Sequence, residues 1–189
     1  MATFTAICDA SVLYPAPLRD LLLHLALTDL FRARWTAMIH EEWMEALLRD
    51  RPDLSRKKLE RTRQLMDASV PDCLVEGYED LIAGLRLPHP NDCHVLAAAI
   101  RVGADVIVTA NLKHFPPSSL AGYGIDAQHP DQFVRHLADL APGPVCVAVK
   151  THRQGLRNPP KTVAQYLETL KRQALPETVA ALRDLEELL

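Results

Sequence analysis

Four polar side chains that could bind a hard cation stand where predicted secondary-structure elements begin or end. Asp9 ends the first apolar run, Asp92 lies in the first turn of a predicted helix, and Asn111 follows the strand predicted at 105–109. Glu42 lies further along another predicted helix, beside its apolar face. Because ligands of open α/β sheets bind at the carboxyl ends of the strands, we expect these groups to meet at one edge.

Carboxylates gathered at one edge repel one another, and a divalent cation with oxygen ligands removes that repulsion. Mg²⁺ and Mn²⁺ prefer such ligands, and either ion can polarise a phosphodiester and activate a water molecule. Each acid also has an ordinary explanation: Asp9 could cap a turn, Asp92 could be favoured by the helix dipole, and Glu42 could be surface charge beside Glu41. Their joint order along the chain favours the catalytic interpretation.

Alternating strand and helix patterns in the first 130 residues must position these side chains. Short apolar runs predict strands at 3–8, 34–36, 73–75, 105–109 and 125–127. Periodic apolar residues predict helices at 18–31, 36–49 and 92–101, and a charged helix after Ser55. Thr36 is a candidate N-cap and Gly103 a candidate C-terminal cap. This alternation predicts βαβ units with a parallel sheet.

Beyond residue 130 the pattern is entirely helical, with helices predicted at 131–140, 145–154, 162–173 and 177–188. We therefore predict two parts, a domain at 1–130 and a helical extension at 131–189. Apolar stripes in the extension suit either packing on the first domain or self-association as a homodimer.

The composition is that of a soluble globular protein, with 48% hydrophobic and 24% charged residues in a chain of 189. A formal net charge of -3 provides no overall attraction to nucleic acid, so any RNA contact needs a local basic patch or bound cations. No apolar run approaches the roughly 18 residues needed to span a bilayer, and the N-terminus shows no basic leader. We expect a cytoplasmic protein.

The cysteines are widely spaced and form no CxxC pair: Cys8, Cys73, Cys93 and Cys146. This spacing favours buried hydrophobic residues over reactive thiols, although Cys8 and Cys93 adjoin candidate site residues.

A basic run lies on the charged helix, with two arginines just before it: Arg49, Arg51, Arg56, Lys57, Lys58, Arg61 and Arg63. The run could be a solvated helix face, or a patch that follows a phosphate backbone. Only 5% of the residues are aromatic, so extensive base stacking is not expected.

Four segments in this order resemble the PIN-domain family: ICDASVL at 7–13, WTAMIHEEW at 35–43, NDCHVLAAA at 91–99 and VIVTANLKHF at 106–115. PIN domains are metal-dependent ribonucleases and include the toxins of many bacterial toxin–antitoxin pairs. The resemblance implies a three-layer α/β/α fold with a mostly parallel sheet of four to five strands. It also implies Mg²⁺ or Mn²⁺ as cofactor, an RNA substrate, single-stranded or in a loop, and a small antitoxin as partner.

Asp9, Glu42 and Asp92 match the three acids best shared across that family. Glu42 is preferred to Glu41 because the family glutamate precedes an apolar helix position, which is Trp43 here.

The chain departs from the family pattern at His114, where an acid is common, while Asn111 matches a position that takes Asp or Asn. One hypothesis is that a single cation binds firmly and that a second arrives with the substrate phosphate. In this hypothesis the imidazole of His114 also favours Mn²⁺ over Mg²⁺. Alternatively, His114 points to solvent or contacts a phosphate. Ser11 and Thr109 are candidate supporting residues, through hydrogen bonds to a carboxylate or bound water, or else simple turn residues.

Three other classes of protein share part of this pattern. A phosphoryl-transfer enzyme of the haloacid-dehalogenase type needs an acid two residues after Asp9, where Ser11 stands. A receiver domain needs paired acids after the first strand, which this chain lacks. A PIN-like domain with a degraded site, which only binds RNA or a partner, is the more serious alternative because of His114.

Overall fold

The computed structural model describes residues 4–189, and within that range the strands form a single parallel sheet of four. The strands are β1 (Phe4–Cys8), β2 (Phe31–Arg34), β3 (Val106–Val108) and β4 (Asp126–Gln128), in the order β2-β1-β3-β4. In the register of the central pair, Cys8 lies opposite Val108. The residues that follow β1 and β3 are therefore neighbours at the carboxyl edge of the sheet.

Helices make up most of the remaining chain, and the whole has the three-layer α/β/α architecture expected from the sequence, with further helices at the C-terminus. The helices are α1 (Ala10–Leu13), α2 (Ala16–Ala26), α3 (Ala37–Asp50), α4 (Arg56–Ser69), α5 (Glu79–Ile82), α6 (Cys93–Val102), α7 (Pro117–Leu120), α8 (Pro130–Leu140), α9 (Pro142–Gly155), α10 (Val163–Arg172) and α11 (Pro176–Arg183). In the part of the chain that the structure describes, no helix is both long enough and apolar enough to cross a membrane.

The two helices that carry candidate site residues end at the predicted signals. The Thr36 hydroxyl caps α3 by accepting a hydrogen bond from the Ile39 N–H (3.0 Å). Gly103 ends α6 with φ of +60°, a left-handed conformation that glycine adopts without a steric cost. Residues 95–99 of α6 are fully buried, which fixes this helix against the sheet.

The predicted boundaries around β2 were wrong. The helix predicted at 18–31 ends at Ala26, and Phe31 begins β2 instead of the predicted strand at 34–36. The reason is tertiary: Phe31 is buried between Phe4, at a ring-centroid distance of 6.0 Å, and Phe133, at 4.9 Å. Phe31 looks like the last apolar residue of the helical pattern, but it is the first residue of a strand and packs in the core.

The other strand predictions differ in smaller ways. The run predicted at 73–75 forms only an isolated bridge between Trp35 and Leu74, and the sheet accordingly has four strands. The last strand occupies Asp126–Gln128 at the sheet edge instead of 125–127. Thr3, where the first strand was predicted to begin, lies outside the described residues.

The C-terminal helices contact the sheet domain. The ring of His152 in α9 stacks on His24 in α2 at 5.1 Å. The Asp131 carboxylate at the start of α8 accepts hydrogen bonds from the N–H groups of Glu177 (2.9 Å) and Thr178 (2.8 Å) at the start of α11. The His24–His152 and Phe31–Phe133 contacts pack the C-terminal helices on the rest of the chain, whereas the Asp131 bonds join two of these helices to each other. The division at residue 130 stays a prediction.

Candidate active site

Asp9 lies in the turn between β1 and α1, and its side chain is held by three short hydrogen bonds. Oδ1 accepts the N–H of Ala10 at 2.8 Å. Oδ2 accepts the hydroxyls of Ser11 at 2.6 Å and of Thr109 at 2.8 Å. Asp9 is only 5% exposed. The carboxylate is therefore fixed in one orientation, with its charge at the end of the first strand.

Ser11 and Thr109 also tie the loop after β3 to the turn after β1. The Ser11 hydroxyl accepts the N–H of Ala110 (3.1 Å), and the Thr109 hydroxyl accepts the N–H of Asn111 (3.0 Å). Both hydroxyls therefore lie against the Asp9 carboxylate and also hold the loop after β3. Because Thr109 is fully buried, it lies beneath the cavity described below and does not line it.

Glu42 is positioned by a residue that the sequence did not single out. Its Oε1 lies 2.9 Å from Nε2 of His94, which is buried in α6. Because a carboxylate accepts, His94 carries its proton on Nε2, and no described residue bonds its buried Nδ1. The pair joins α3 to α6 and orients Glu42. The one available signal was that His94 stands within a run of apolar residues that predicts a buried helix face.

Asp92 lies in the 3₁₀ turn just before α6, beside two histidines. Its Oδ2 is 2.8 Å from Nδ1 of His114, and the His114 ring stacks on His89 at 4.4 Å with an interplanar angle of 12°. Burial of the Asp92 carboxyl raises its pKa above the ordinary value, the Asp9 charge adds to the rise, and His114 opposes it. His89 was not predicted from the sequence as a site residue. His114, exposed by about a fifth, contacts Asp92 and does not point freely to solvent.

One cavity of about 620 Å³ collects the candidate residues. The sequence predicted six of the residues that line it: Asp9, Ser11, Glu42, Asp92, Asn111 and His114. Other lining residues were not predicted as site residues, among them Tyr14, Glu45 and His89, and Arg49 was predicted only as part of the basic run. Polar groups that are scattered over a hundred positions of the sequence therefore share one pocket at the carboxyl edge of the sheet.

The oxygen and nitrogen donors around the cavity fit a divalent cation, although the carboxylates do not surround a single point. In residues 4–189, the three metal-capable side chains whose donor atoms all lie within 4.8 Å of one another are His89, Asp92 and His114. Asp9 and Glu42 are not part of that group of three, and each is engaged by its own partners. One or two carboxylates, together with waters and substrate phosphates, are enough to hold a divalent cation such as Mg²⁺.

Much of the predicted basic run is neutralised by the protein itself. Arg56 forms ion pairs with Glu41 and Glu45, and Arg63 pairs with Glu41. Arg56 and Arg63 also pair with Glu60, and Arg63 with Asp67, all on α4. Arg49 pairs with Asp50, and Arg51 with Asp53. These contacts fit a solvated helix face for Arg56 and Arg63. Arg49, in contrast, reaches the rim of the cavity.

The cysteines are buried, as their spacing predicted. Burial raises the pKa of the Cys8 thiol to about 12, and the Asp9 charge contributes to the rise. A thiol with so high a pKa is not a nucleophilic thiolate at neutral pH, which agrees with Cys8 as a buried hydrophobic residue.

Comparison with known sequences identifies the class of protein. A model of the PIN domain matches residues 5–113, more than half of the chain, and a model described as the VapC50 C-terminal domain matches residues 130–184. The chain therefore belongs to the PIN-domain family. One curated relative, described as "Putative ribonuclease VapC50" of Mycobacterium tuberculosis, is 42% identical over 109 residues. That alignment covers 58% of this chain and 63% of the relative, so less than two thirds of its length. The search of solved structures found no significant match.

Proposed function

We propose that this chain is a metal-dependent endoribonuclease that hydrolyses phosphodiester bonds of RNA at the cavity described above. The observation that carries the proposal is the meeting of Asp9, Glu42, Asp92 and Asn111 around one pocket at the ends of β1 and β3. Membership of the PIN-domain family and the ribonuclease name of the M. tuberculosis relative support the same conclusion.

Asp9 and Asp92 are the proposed metal ligands, and Glu42 and Asn111 complete the oxygen set. A bound Mg²⁺ or Mn²⁺ supplies Lewis-acid polarisation of the scissile phosphate and lowers the pKa of a bound water. The Asp9 carboxylate is already oriented by the hydroxyls of Ser11 and Thr109 and by the N–H of Ala10. Such preorganisation means that little conformational freedom is lost when the substrate binds.

The remaining polar groups of the cavity can orient the substrate. The Asn111 amide offers a donor to a phosphate oxygen or a water, and Glu42 is held towards the cavity by its bond to His94. Arg49 at the rim can contact a neighbouring phosphate, because a guanidinium matches phosphate geometry. In this assignment the RNA phosphates are bound by a few residues at the cavity, in agreement with the negative net charge of the whole chain.

The proposed substrate is single-stranded RNA or a loop. A scissile phosphate must enter an open cavity of limited size, and unpaired segments can bend to do so where a duplex cannot. We further propose Mg²⁺ or Mn²⁺ as the physiological ion, with one ion bound firmly and a second recruited with the substrate phosphate. The contact of His114 with Asp92 is consistent with a preference for Mn²⁺.

As a partner we propose a small antitoxin, with the chain acting as the toxin of a toxin–antitoxin pair in the cytoplasm. Such a partner would bind across the acidic edge or the early helices and block RNA entry. Self-association through the C-terminal helices is a second proposed contact, supported by the exposure of Leu140 (58%), Val147 (64%) and Leu188 (55%) on that part of the chain.

The decisive experiment is an RNA cleavage assay in Mg²⁺ and in Mn²⁺. Asp9→Asn and Asp92→Asn should each abolish measurable cutting while circular dichroism shows a retained fold. Asp139→Asn is the matched control, because Asp139 is exposed on α8 and pairs only with Arg135. If the folded wild-type protein cuts no RNA in either metal, the enzymatic proposal fails and a module that only binds RNA is supported.

A further inference from the structure

Two histidines give one side of the cavity a ligand chemistry that differs from the rest of the site. His89, Asp92 and His114 bring their donor atoms within 4.8 Å of one another, as two imidazole nitrogens and one carboxylate oxygen. The other candidate ligands of the cavity, Asp9, Glu42 and Asn111, provide oxygen only. Imidazole suits Zn²⁺, Co²⁺ and Ni²⁺, whereas carboxylate, amide and water oxygens suit Mg²⁺ and Mn²⁺.

We propose that His89, Asp92 and His114 form a binding site for a borderline transition-metal ion of the Zn²⁺ class, beside the oxygen site and sharing Asp92 with it. The inference rests on the proposed function in so far as Asp92 belongs to both ligand sets. It differs from the proposal of a hard cation held by oxygen ligands, because the ion in the nitrogen-rich site is selected by imidazole.

The donor atoms are already close to the separations that one ion requires, and the adjustment needed is a rotation of an imidazole ring. Zn²⁺ binds imidazole nitrogen at about 2.0–2.1 Å, so two ligand atoms on one ion lie no more than about 4.2 Å apart. The donor atoms here already lie within 4.8 Å of one another, and Nδ1 of His114 is 2.8 Å from Oδ2 of Asp92. His89 is exposed and His114 is half-buried, so both rings have room for the remaining movement.

The backbone limits how far these ligands can separate. His89 and Asp92 stand three residues apart, and the N–H of Asp92 donates to the carbonyl of His89 at 3.1 Å. His114 is held in its own turn by donation of its N–H to the carbonyl of Asn111 at 2.9 Å. The two rings are stacked at 4.4 Å with nearly parallel planes (12°), so one imidazole must turn before both can direct a nitrogen lone pair at the same ion. The ring of His89 is exposed, so its nitrogens are accessible to an ion.

The site is also open to an incoming ion and its remaining waters. His89, Asp92 and His114 all line the 620 Å³ cavity, so the fourth ligand position can be taken by water or by a substrate oxygen. Three protein ligands with one open position are the arrangement found in catalytic zinc sites, whereas structural zinc sites have four protein ligands. The chemistry therefore assigns an exchangeable ion to this group.

Metal binding by the full-length chain, without RNA and without a polyhistidine tag, tests the proposal. Co²⁺ is the probe, because its visible absorption reports nitrogen ligation, and calorimetry with Zn²⁺ gives the affinity. We expect His89→Ala to weaken binding of both ions at least 10-fold, the order found when metal sites lose a supporting group. His136→Ala is the matched control, an exposed histidine on α8 that should bind as wild type does.

A second variant keeps the test independent of how His89→Ala behaves. His114→Asp converts the group towards oxygen ligands and should remove the nitrogen-type Co²⁺ spectrum while Mn²⁺ binding persists. Equal Co²⁺ and Zn²⁺ affinity in wild type and His89→Ala would overturn the proposal and leave His114 as a simple ion-pair partner of Asp92. Unchanged metal preference in His114→Asp would also count against it.

These readouts separate the two proposals. Binding of Co²⁺ and Zn²⁺ is measured without RNA, so it can succeed even if the wild type cuts no RNA, in which case only the ribonuclease proposal fails. If the wild type cuts RNA in Mg²⁺ but its Co²⁺ binding does not depend on the histidines, only the proposal of a nitrogen-rich metal site fails.

Discussion

The hydroxyl of Thr109 donates a hydrogen bond of 2.8 Å to the carboxylate of Asp9, which lies exactly one hundred positions earlier in the chain. The bond joins the ends of the two central strands, and the same hydroxyl accepts the N–H of Asn111. It therefore couples the orientation of a proposed metal ligand to the path of the loop that carries another candidate ligand.

Replacing Thr109 by valine should remove both bonds while nearly keeping the side-chain volume. Because Thr109 is fully buried, Thr109→Val should lower the free energy of unfolding by about 1–3 kcal/mol, measured by urea denaturation. As a positioning residue, it should also lower Mn²⁺ affinity roughly 10- to 100-fold, measured by calorimetry. Thr151→Val, at an exposed helix position, is the control. An unchanged Mn²⁺ affinity would show that Thr109 is structural only.

The neighbouring glutamates of α3 offer a matched pair of substitutions. Glu42 lines the cavity and is bonded by His94, whereas Glu41 faces Arg56 and Arg63. Glu42→Gln should reduce RNA cleavage at least 10-fold, because a ligand of the site loses its charge. Glu41→Gln should leave cleavage near the wild-type rate. Initial rates at saturating Mn²⁺ make the comparison, and equal rates for the two variants would contradict the choice of Glu42.

Buried histidines should make the fold sensitive to acid. Burial lowers the pKa of His152 from 6.5 to about 4, and the adjacent His24 adds to the effect. A lowered folded-state pKa means that the unfolded chain binds the proton first, so stability is complete above pH 6.5 and falls as the pH decreases towards 4. The loss from this group alone is about 3 kcal/mol.

Urea unfolding at several pH values between 7.5 and 4 measures this dependence. Burial also lowers the pKa of His40, so that residue acts in the same direction. His152→Phe should flatten part of the profile, whereas His136→Ala, at an exposed position, should leave it unchanged. A wild-type stability that is constant from pH 7 to pH 4 would contradict the prediction.

The C-terminal helices should depend on Asp131. Its carboxylate accepts the N–H groups of Glu177 and Thr178, is 6% exposed, and so caps α11 from the start of α8. Asp131→Ala should lower the free energy of unfolding by about 1.5–3 kcal/mol, since hydrogen bonds to a charged group are lost from a buried position. Asp139→Ala, at an exposed position on the same helix, should cost much less. Thermal unfolding of both variants provides the measurement.

Local sequence patterns predicted the parts of the fold that depend on short-range physics. The apolar run that ends at Asp9, the cap at Thr36 and the glycine that ends α6 each require only neighbouring residues, and all three are observed. The boundary at Phe31 was wrong because a strand of four residues was recognisable only from its packing against Phe4 and Phe133.

Hydrophobic patterns were enough to predict which side chains stand at the carboxyl ends of β1 and β3, because these patterns mark where strands end and parallel strands place those ends together. Which side chains touch depends on the packing of the folded chain. It placed His89 on His114, joined Glu42 to His94, and paired Arg56 and Arg63 with acids of α3. Contacts of this kind arise when elements distant in sequence are packed together, and no local pattern of residues encodes them.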